Sequence, residues 1–281
     1  MDISDINQNN RSEIFITSIF LERNQLTSFV LEWDGSKFKR IADKMNLHLR
    51  VIPGPEGKEI LISQQGGIRT VFFGNVNQMI WDGAQYQPDH ELSLPRGIDV
   101  YGFTYGDPFN NNTRVITALS ENDRLQVFDQ TGNREWESTQ RYGGKNTFIE
   151  YQDAYFTEND EILRYYLHHR IFVTDFDKNG RNDIIAVQNH DTTQMLGKFR
   201  MIRSGHIQCL TGDTVGFSHK WKTRKISGYI SDYTVGDVDN DGRDEVAATV
   251  VVKGESFFKS KQSYLILWNR MPSHEKAPDE M

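Results

Sequence analysis

The most constraining feature of this chain is a nine-residue acidic phrase that keeps returning, each time ahead of a short apolar run. In its fullest form Asp237, Asp239, Asp241, Gly242, Arg243 and Glu245 belong to DVDNDGRDE, which leads into VAATVVV. A second copy, DFDKNGRND, carries Asp175, Asp177, Asn179, Gly180, Arg181 and Asp183 and leads into IIAV. A third, DINQNNRSE, carries Asp5, Asn7, Asn9, Asn10, Arg11 and Glu13 and leads into IFIT. A worn copy runs from Asp107 to Val115, and a fifth, Pro53 to Glu59, keeps only its last acidic position and the following ILIS. Repetition at intervals of tens of residues marks a repeat architecture, in which each copy is one supersecondary unit packed on its neighbours.

A second phrase interleaves with the first. Trp33, Asp34 and Gly35 in LEWDGSKF match Trp81, Asp82 and Gly83 in MIWDGAQY, and Phe128, Asp129 and Gly132 form a looser version. An Asp-Gly pair between alternating apolar residues is a hairpin signal. Elsewhere the apolar residues fall in short β-branched and aromatic runs divided by turn residues, and helical periodicity is almost absent. The best helix candidate is 159–169, in the longest interval between copies, which reads as an insertion between units. One unit then comprises an acidic loop, three strands, a W-D-G turn and a fourth strand. Four strands per repeat is a propeller blade. The expectation is an all-β chain, a β-propeller of four-stranded antiparallel blades over 1–270, with about five units starting near 5, 51, 107, 175 and 237 and a disordered tail at 271–281.

The acidic phrase resembles the FG-GAP / VCBS repeat of integrin-type β-propellers, and the chain is also similar to bacterial VCBS repeat-containing proteins. That resemblance implies calcium loops and a seven-bladed ring. Five units are visible, and on this reading the first begins at its loop with no strand before it. A late-start version of a longer protein is therefore favoured over an open arc, whose end faces would be uncovered. No signal peptide is visible at the start. Location is periplasmic or extracellular if the N-terminus is incomplete and cytoplasmic if Met1 is the true start.

The loops suit a hard cation. Calcium takes 6–8 oxygen ligands in irregular geometry. Positions 1, 3, 5 and 9 supply side-chain oxygens and position 7 a carbonyl: Asp237, Asp239, Asp241, Arg243 and Glu245; Asp175, Asp177, Asn179, Arg181 and Asp183; Asp5, Asn7, Asn9, Arg11 and Glu13. Affinity should fall in that order as amides replace carboxylates, and the loop at 107 should hold no metal. Two like charges ~4 Å apart repel by about 4 kcal/mol at an effective dielectric of 20, so four converging carboxylates call for a cation. An EF-hand is excluded because its position 12 falls on Ala248 and Ala186 rather than Glu, with strands following. The plain alternative is that these are solvated turns; the regularity of the 237 loop argues against it there.

Composition narrows the rest. Lys and Arg number 32 against 39 Asp and Glu, a net charge of −7, which argues against a nucleic-acid binder. The single cysteine, Cys209, rules out an intrachain disulfide or a multi-cysteine metal site. No apolar run is long enough to span a membrane. His168–His169, the basic cluster Lys220–Lys225 and Gly143–Gly144–Lys145 carry no metal, polyanion or P-loop signature, and the basic cluster reads as a solvated strand face. Trp33, Trp81 and Trp268 read as inter-blade packing. The leading function is a non-enzymatic, calcium-binding scaffold that meets an unidentified protein or glycan at a blade end. The alternatives are the propeller portion of a secreted polysaccharide- or phosphodiester-cleaving enzyme, and an N-terminally truncated fragment without independent activity. Nothing in the sequence indicates oligomeric state.

Overall fold

A computed structural model describes residues 1–20, 25–67, 70–152, 162–192, 200–213, 216–252 and 262–268. The described residues form strands, turns and bends, with no helix. Blade 1 contains β1 (Asp2–Ser4), β2 (Glu13–Ile16), β5 (Ser28–Trp33) and β6 (Phe38–Met45), with a side hairpin of β3 (Ile19–Phe20) and β4 (Gln25–Leu26). Blade 2 contains β7 (Leu47–Pro53), β8 (Glu59–Gly66), β9 (Phe72–Trp81) and β10 (Tyr86–Glu91). Blade 3 contains β11 (Phe103–Gly106), β12 (Val115–Leu119), β13 (Arg124–Phe128) and β14 (Arg134–Arg141). An inserted hairpin follows, β15 (Phe148–Gln152) and β16 (Ile162–Tyr166). Blade 4 contains β17 (Phe172–Thr174), β18 (Asp183–Asp191), β19 (Ile202–Gly212) and β20 (Phe217–Lys222), with β21 (Ile226–Ser227) pairing to β19. Blade 5 has β22 (Tyr229–Gly236), β23 (Glu245–Val252) and β24 (Gln262–Trp268) among the described residues.

The blades stand in a ring, a five-bladed β-propeller. Residues from the first strand of every blade line a common axial channel of about 700 Å3, among them Ile3, Val51, Thr104, Val173 and Thr234. All pairings within blades are antiparallel, so the first-to-second and third-to-fourth connections share one rim. That rim carries the acidic phrases and the W-D-G turns. The two extra hairpins occupy connections on the opposite rim.

The core is divided by seam rather than by blade. Phe15 and Val30 of blade 1 pack on Leu49, Leu61 and Met79 of blade 2. Ile52 and Ile62 meet Phe103, Ile116 and Ala118 between blades 2 and 3. Leu125 and Val127 meet Ile184, Ala186 and Leu210 between blades 3 and 4. Val187, Ile207 and Cys209 meet Ile230, Val246 and Val250 between blades 4 and 5. Each fully buried aliphatic side chain contributes about 1.5–3 kcal/mol, so every filled seam is a substantial bond between neighbours. The inner strands β11 and β17 approach closely at Gly106, where an added Cβ would clash with the Val173 side chain. No buried cluster of the described residues fills the seam between blades 5 and 1. There Ile3, Leu265 and Leu267 remain exposed, Leu265 at 76 %.

Several expectations need correction. A strand does precede the first acidic loop: β1 pairs with β2 through Asp2–Phe15, Ile3–Ile14 and Ser4–Glu13. Three residues with one apolar side chain give too little pattern to read as a strand. The ring has five blades, where the resemblance implied seven. Each unit has two strands, not three, between the acidic loop and the W-D-G turn, because the inner strand lies before the loop. The expected helix at 159–169 is overturned where it is described: residues 162–166 form β16, held by cross-strand partners in β15. The tail at 271–281 lies outside the described residues. Trp81 joins the blade 1–2 core and Trp268 the blade 4–5 core, as expected. Trp33 does not, being 45 % exposed against the Phe38 ring of its own hairpin.

Candidate metal loops

Four of the five loops share one backbone. Position 4 has a left-handed φ in each (Gln8, 60°; Asn110, 57°; Lys178, 55°; Asn240, 61°), and so does position 6 (Asn10, 65°; Asn112, 62°; Gly180, 84°; Gly242, 86°). Glycine and asparagine at position 6 suit this conformation. The carboxylate at position 1 closes each loop by accepting the amides of positions 5 and 6: Asp5 from Asn9 and Asn10, Asp107 from Asn111 and Asn112, Asp175 from Asn179 and Gly180, and Asp237 from Asp241 and Gly242. The side chain at position 5 accepts the amide of position 7 in every copy. A carboxylate has about four lone-pair sites, so these bonds leave oxygen capacity for a cation. The fifth copy, between β7 and β8, is a short turn closed by Gly54 N–H to the Lys58 carbonyl.

The loops diverge in how their acids are disposed. In the 237 loop, oxygens of Asp237, Asp239 and Glu245 lie within 4.8 Å of one another, the only such group of three or more His, Cys, Asp or Glu among the described residues. Asp237 and Asp239 are exposed, while Glu245 is buried at the start of β23 and accepts the Val238 amide. Asp241 lies outside this group, with Oδ1 on the Arg243 amide.

In the loop at 5, Glu13 is fully buried and accepts the Ile6 amide at 2.8 Å through Oε2. Its Oε1 has no hydrogen-bond partner, since the nearby Tyr86 hydroxyl does not reach it in bonding geometry. Burial pushes the Glu13 carboxyl above the usual range. The Asn7 and Asn9 side-chain amides donate to Glu32 of β5, at 3.1 and 2.6 Å. Glu32 therefore brings to this loop a charge that its nine residues do not show.

The 175 loop holds a cation of its own. Lys220 Nζ, from β20, lies 2.7 Å from Asp183 Oδ2 and 2.8 Å from Asp177 Oδ2. Burial acts to lower the Lys220 pKa, but the hydrogen bonds to Asp177 and Asp183 raise it overall. Lys220 is thus no part of a solvated basic face. Asp is one methylene shorter than Glu, and Asp183 turns to this ammonium where Glu13 and Glu245 turn to a loop amide. Its other oxygen, Oδ1, is buried without a partner. The loop at 107 is tied to its neighbour instead: the Asn110 side-chain amide donates to the Asn182 carbonyl and accepts the Asn182 backbone N–H, and the Asn182 side chain donates to the Asp107 carbonyl. Lys178 reaches the Gly242 carbonyl, joining the 175 and 237 loops.

Neither Lys220 nor Glu32 is readable from the repeats as a loop residue, because both arrive from strands across the sheet. The class defined here is a five-bladed propeller with one rim of repeated acidic loops. No protein-family model matches the chain, and comparison with curated proteins finds no match.

Proposed function

We propose that this protein is a non-enzymatic interaction scaffold whose acidic rim binds calcium, with a protein or glycan meeting a blade end. The propeller architecture is consistent with a protein-interaction role. The calcium reading rests on one observation: the convergence of Asp237, Asp239 and the buried Glu245. Oxygen-only donors in an irregular loop favour Ca2+ over the strictly octahedral Mg2+. A ligand bound only by the folded state at 100 times its Kd adds about 2.7 kcal/mol of stability. Thermal melts in calcium and in EGTA test this: the midpoint should rise with calcium, and Asp239→Ala should remove most of the rise. Equal midpoints for the unaltered protein would reject calcium binding.

The second reading, the propeller portion of a secreted hydrolytic or lyase-type enzyme, draws on a different place. At the mouth opposite the acidic rim, Arg50, Lys145, Arg170, Asp232 and His168 line one recess. Polysaccharide or phosphodiester turnover, lost on substituting those residues, would favour that reading.

A further inference from the structure

The recess at that mouth has a volume of about 240 Å3 and is lined in part by Phe148 and Ile149 of β15. Three cations line it: Arg50 of β7, Lys145 just before β15, and Arg170 just before β17. Two carboxylates face them, Asp2 of β1 and Asp232 of β22. Both are already engaged. Arg170 pairs with Asp2, and Lys145 Nζ lies 3.3 Å from Asp232 Oδ2.

Arg50 is left over. It is 4 % exposed, donates through one terminal nitrogen to the Tyr101 carbonyl, and has no hydrogen-bond partner for its Nε. No described carboxylate makes an ion pair with it. A guanidinium remains charged at neutral pH even though burial lowers this one to about 10. A buried charge with no direct ion pair, supported only at longer range by Asp2 and Asp99, is costly, and an unpaired buried donor adds to that. The fold holds this group in place in the wall of the recess.

We propose that the recess is a binding site for a small monocarboxylate, with Arg50 as its principal anchor and Lys145 as a flanking cation. Three positive and two negative side chains leave one positive charge, to which the Met1 ammonium at the same recess adds only in part because burial lowers its pKa, so a single carboxylate suits the site better than a phosphate dianion. The planar guanidinium fork matches a carboxylate. Tyr101, Phe148, Leu49 and Ile149 line the remaining walls, so the body of the ligand is apolar or aromatic. The recess is smaller than the roughly 300–1,000 Å3 of pockets for drug-sized ligands, which limits the occupant to a small acid.

This site lies on the rim opposite the acidic loops and does not depend on calcium. The test is isothermal titration calorimetry of the full chain in EGTA with three probes: benzoate, its neutral isostere benzamide, and inorganic phosphate. Benzoate should bind saturably at one site, with no saturable heat from benzamide or phosphate. Arg50→Met and Lys145→Met should each weaken benzoate at least about tenfold, the effect of losing one charge-assisted hydrogen bond. Melting curves establish that each variant is folded; should Arg50→Met fail to fold, Lys145→Met carries the test, because its side chain is less deeply buried than Arg50. No saturable benzoate binding, equal binding of benzamide, preference for phosphate, or unchanged benzoate affinity in a folded variant would each overturn the proposal.

Discussion

Replacing Lys220 with methionine separates two ways of holding an acidic loop. The side chain keeps its length and loses its charge. In the 175 loop this removes an ammonium seated 2.7 Å from Asp183 and 2.8 Å from Asp177. The Asp183 side chain has no exposed surface, so its carboxylate is left buried and uncompensated. Breaking a buried pair from one side costs about 3–5 kcal/mol. At roughly 2 °C per kcal/mol for a chain of this size, the midpoint in EGTA should fall by about 6–10 °C. Calcium should then do what the lysine did, because Asp175, Asp177, Asn179 and Asp183 are free to face a divalent ion. The cleanest format is a cycle in an Asp239→Ala background, which takes the 237 loop out of account. There the Lys220-containing protein should respond weakly to calcium, and the Lys220→Met protein should recover a clear upward shift, read by circular dichroism melts. A folded Lys220→Met variant with an unchanged midpoint in EGTA and no gain in calcium response would refute the idea that this ammonium stands in for a metal.

Three further expectations follow from other parts of the molecule. His48 and His169 are each about 1 % exposed, and burial lowers them to about 4 and about 3. The unfolded chain therefore binds more protons than the folded one below pH 6.5, so stability should fall on acidification. By pH 5 the loss is on the order of 2 kcal/mol for each histidine, and a midpoint independent of pH between 7 and 5 would contradict it. Leu265→Asp at the unfilled seam should change stability by less than about 0.5 kcal/mol, whereas Val250→Asp in the blade 4–5 core should cost more than about 4, as urea titrations would show. Gln8→Gly relieves a left-handed φ of 60° at an exposed position, so it should stabilise by about 0.5–1 kcal/mol; a loss on chemical denaturation would count against that reading of the loop.

The architecture was legible because its signals are local. The acidic phrases and the W-D-G turns fall at connections that come around once per blade, and hairpins β5–β6, β9–β10 and β13–β14 turn where Trp33, Trp81 and Phe128 end their strands. What escaped was either too short or too distant. β1 offers three residues. β16 has a sequence, ILRYY, that serves a helix or a strand, and pairing with β15 decides between them. Ring size depends on how wide each seam packs, which no single repeat encodes. Arg50 had one visible signal, a charge inside the apolar run LHLRVIP, but its significance appears only when first strands from different blades line the same channel.

The drift of the acidic phrase also has a physical logic. All four loops keep the carboxylate at position 1 because it organises the backbone, and they keep the left-handed positions 4 and 6 for the same reason. The other acids are free to change only where something else neutralises or replaces them. At 175 a lysine from β20 takes the place of a cation. At 107 the closing acid has become Val115, position 3 has become Phe109, and amide bonds to Asn182 tie the loop down. At 5, amides replace two acids and Glu32 receives their N–H groups. Only at 237 are three carboxylate oxygens left converging with no cationic side chain paired to them among the described residues. Loss of acidity around the rim thus tracks the arrival of internal partners, and the loop with no such partner is the one where a metal has the most to do.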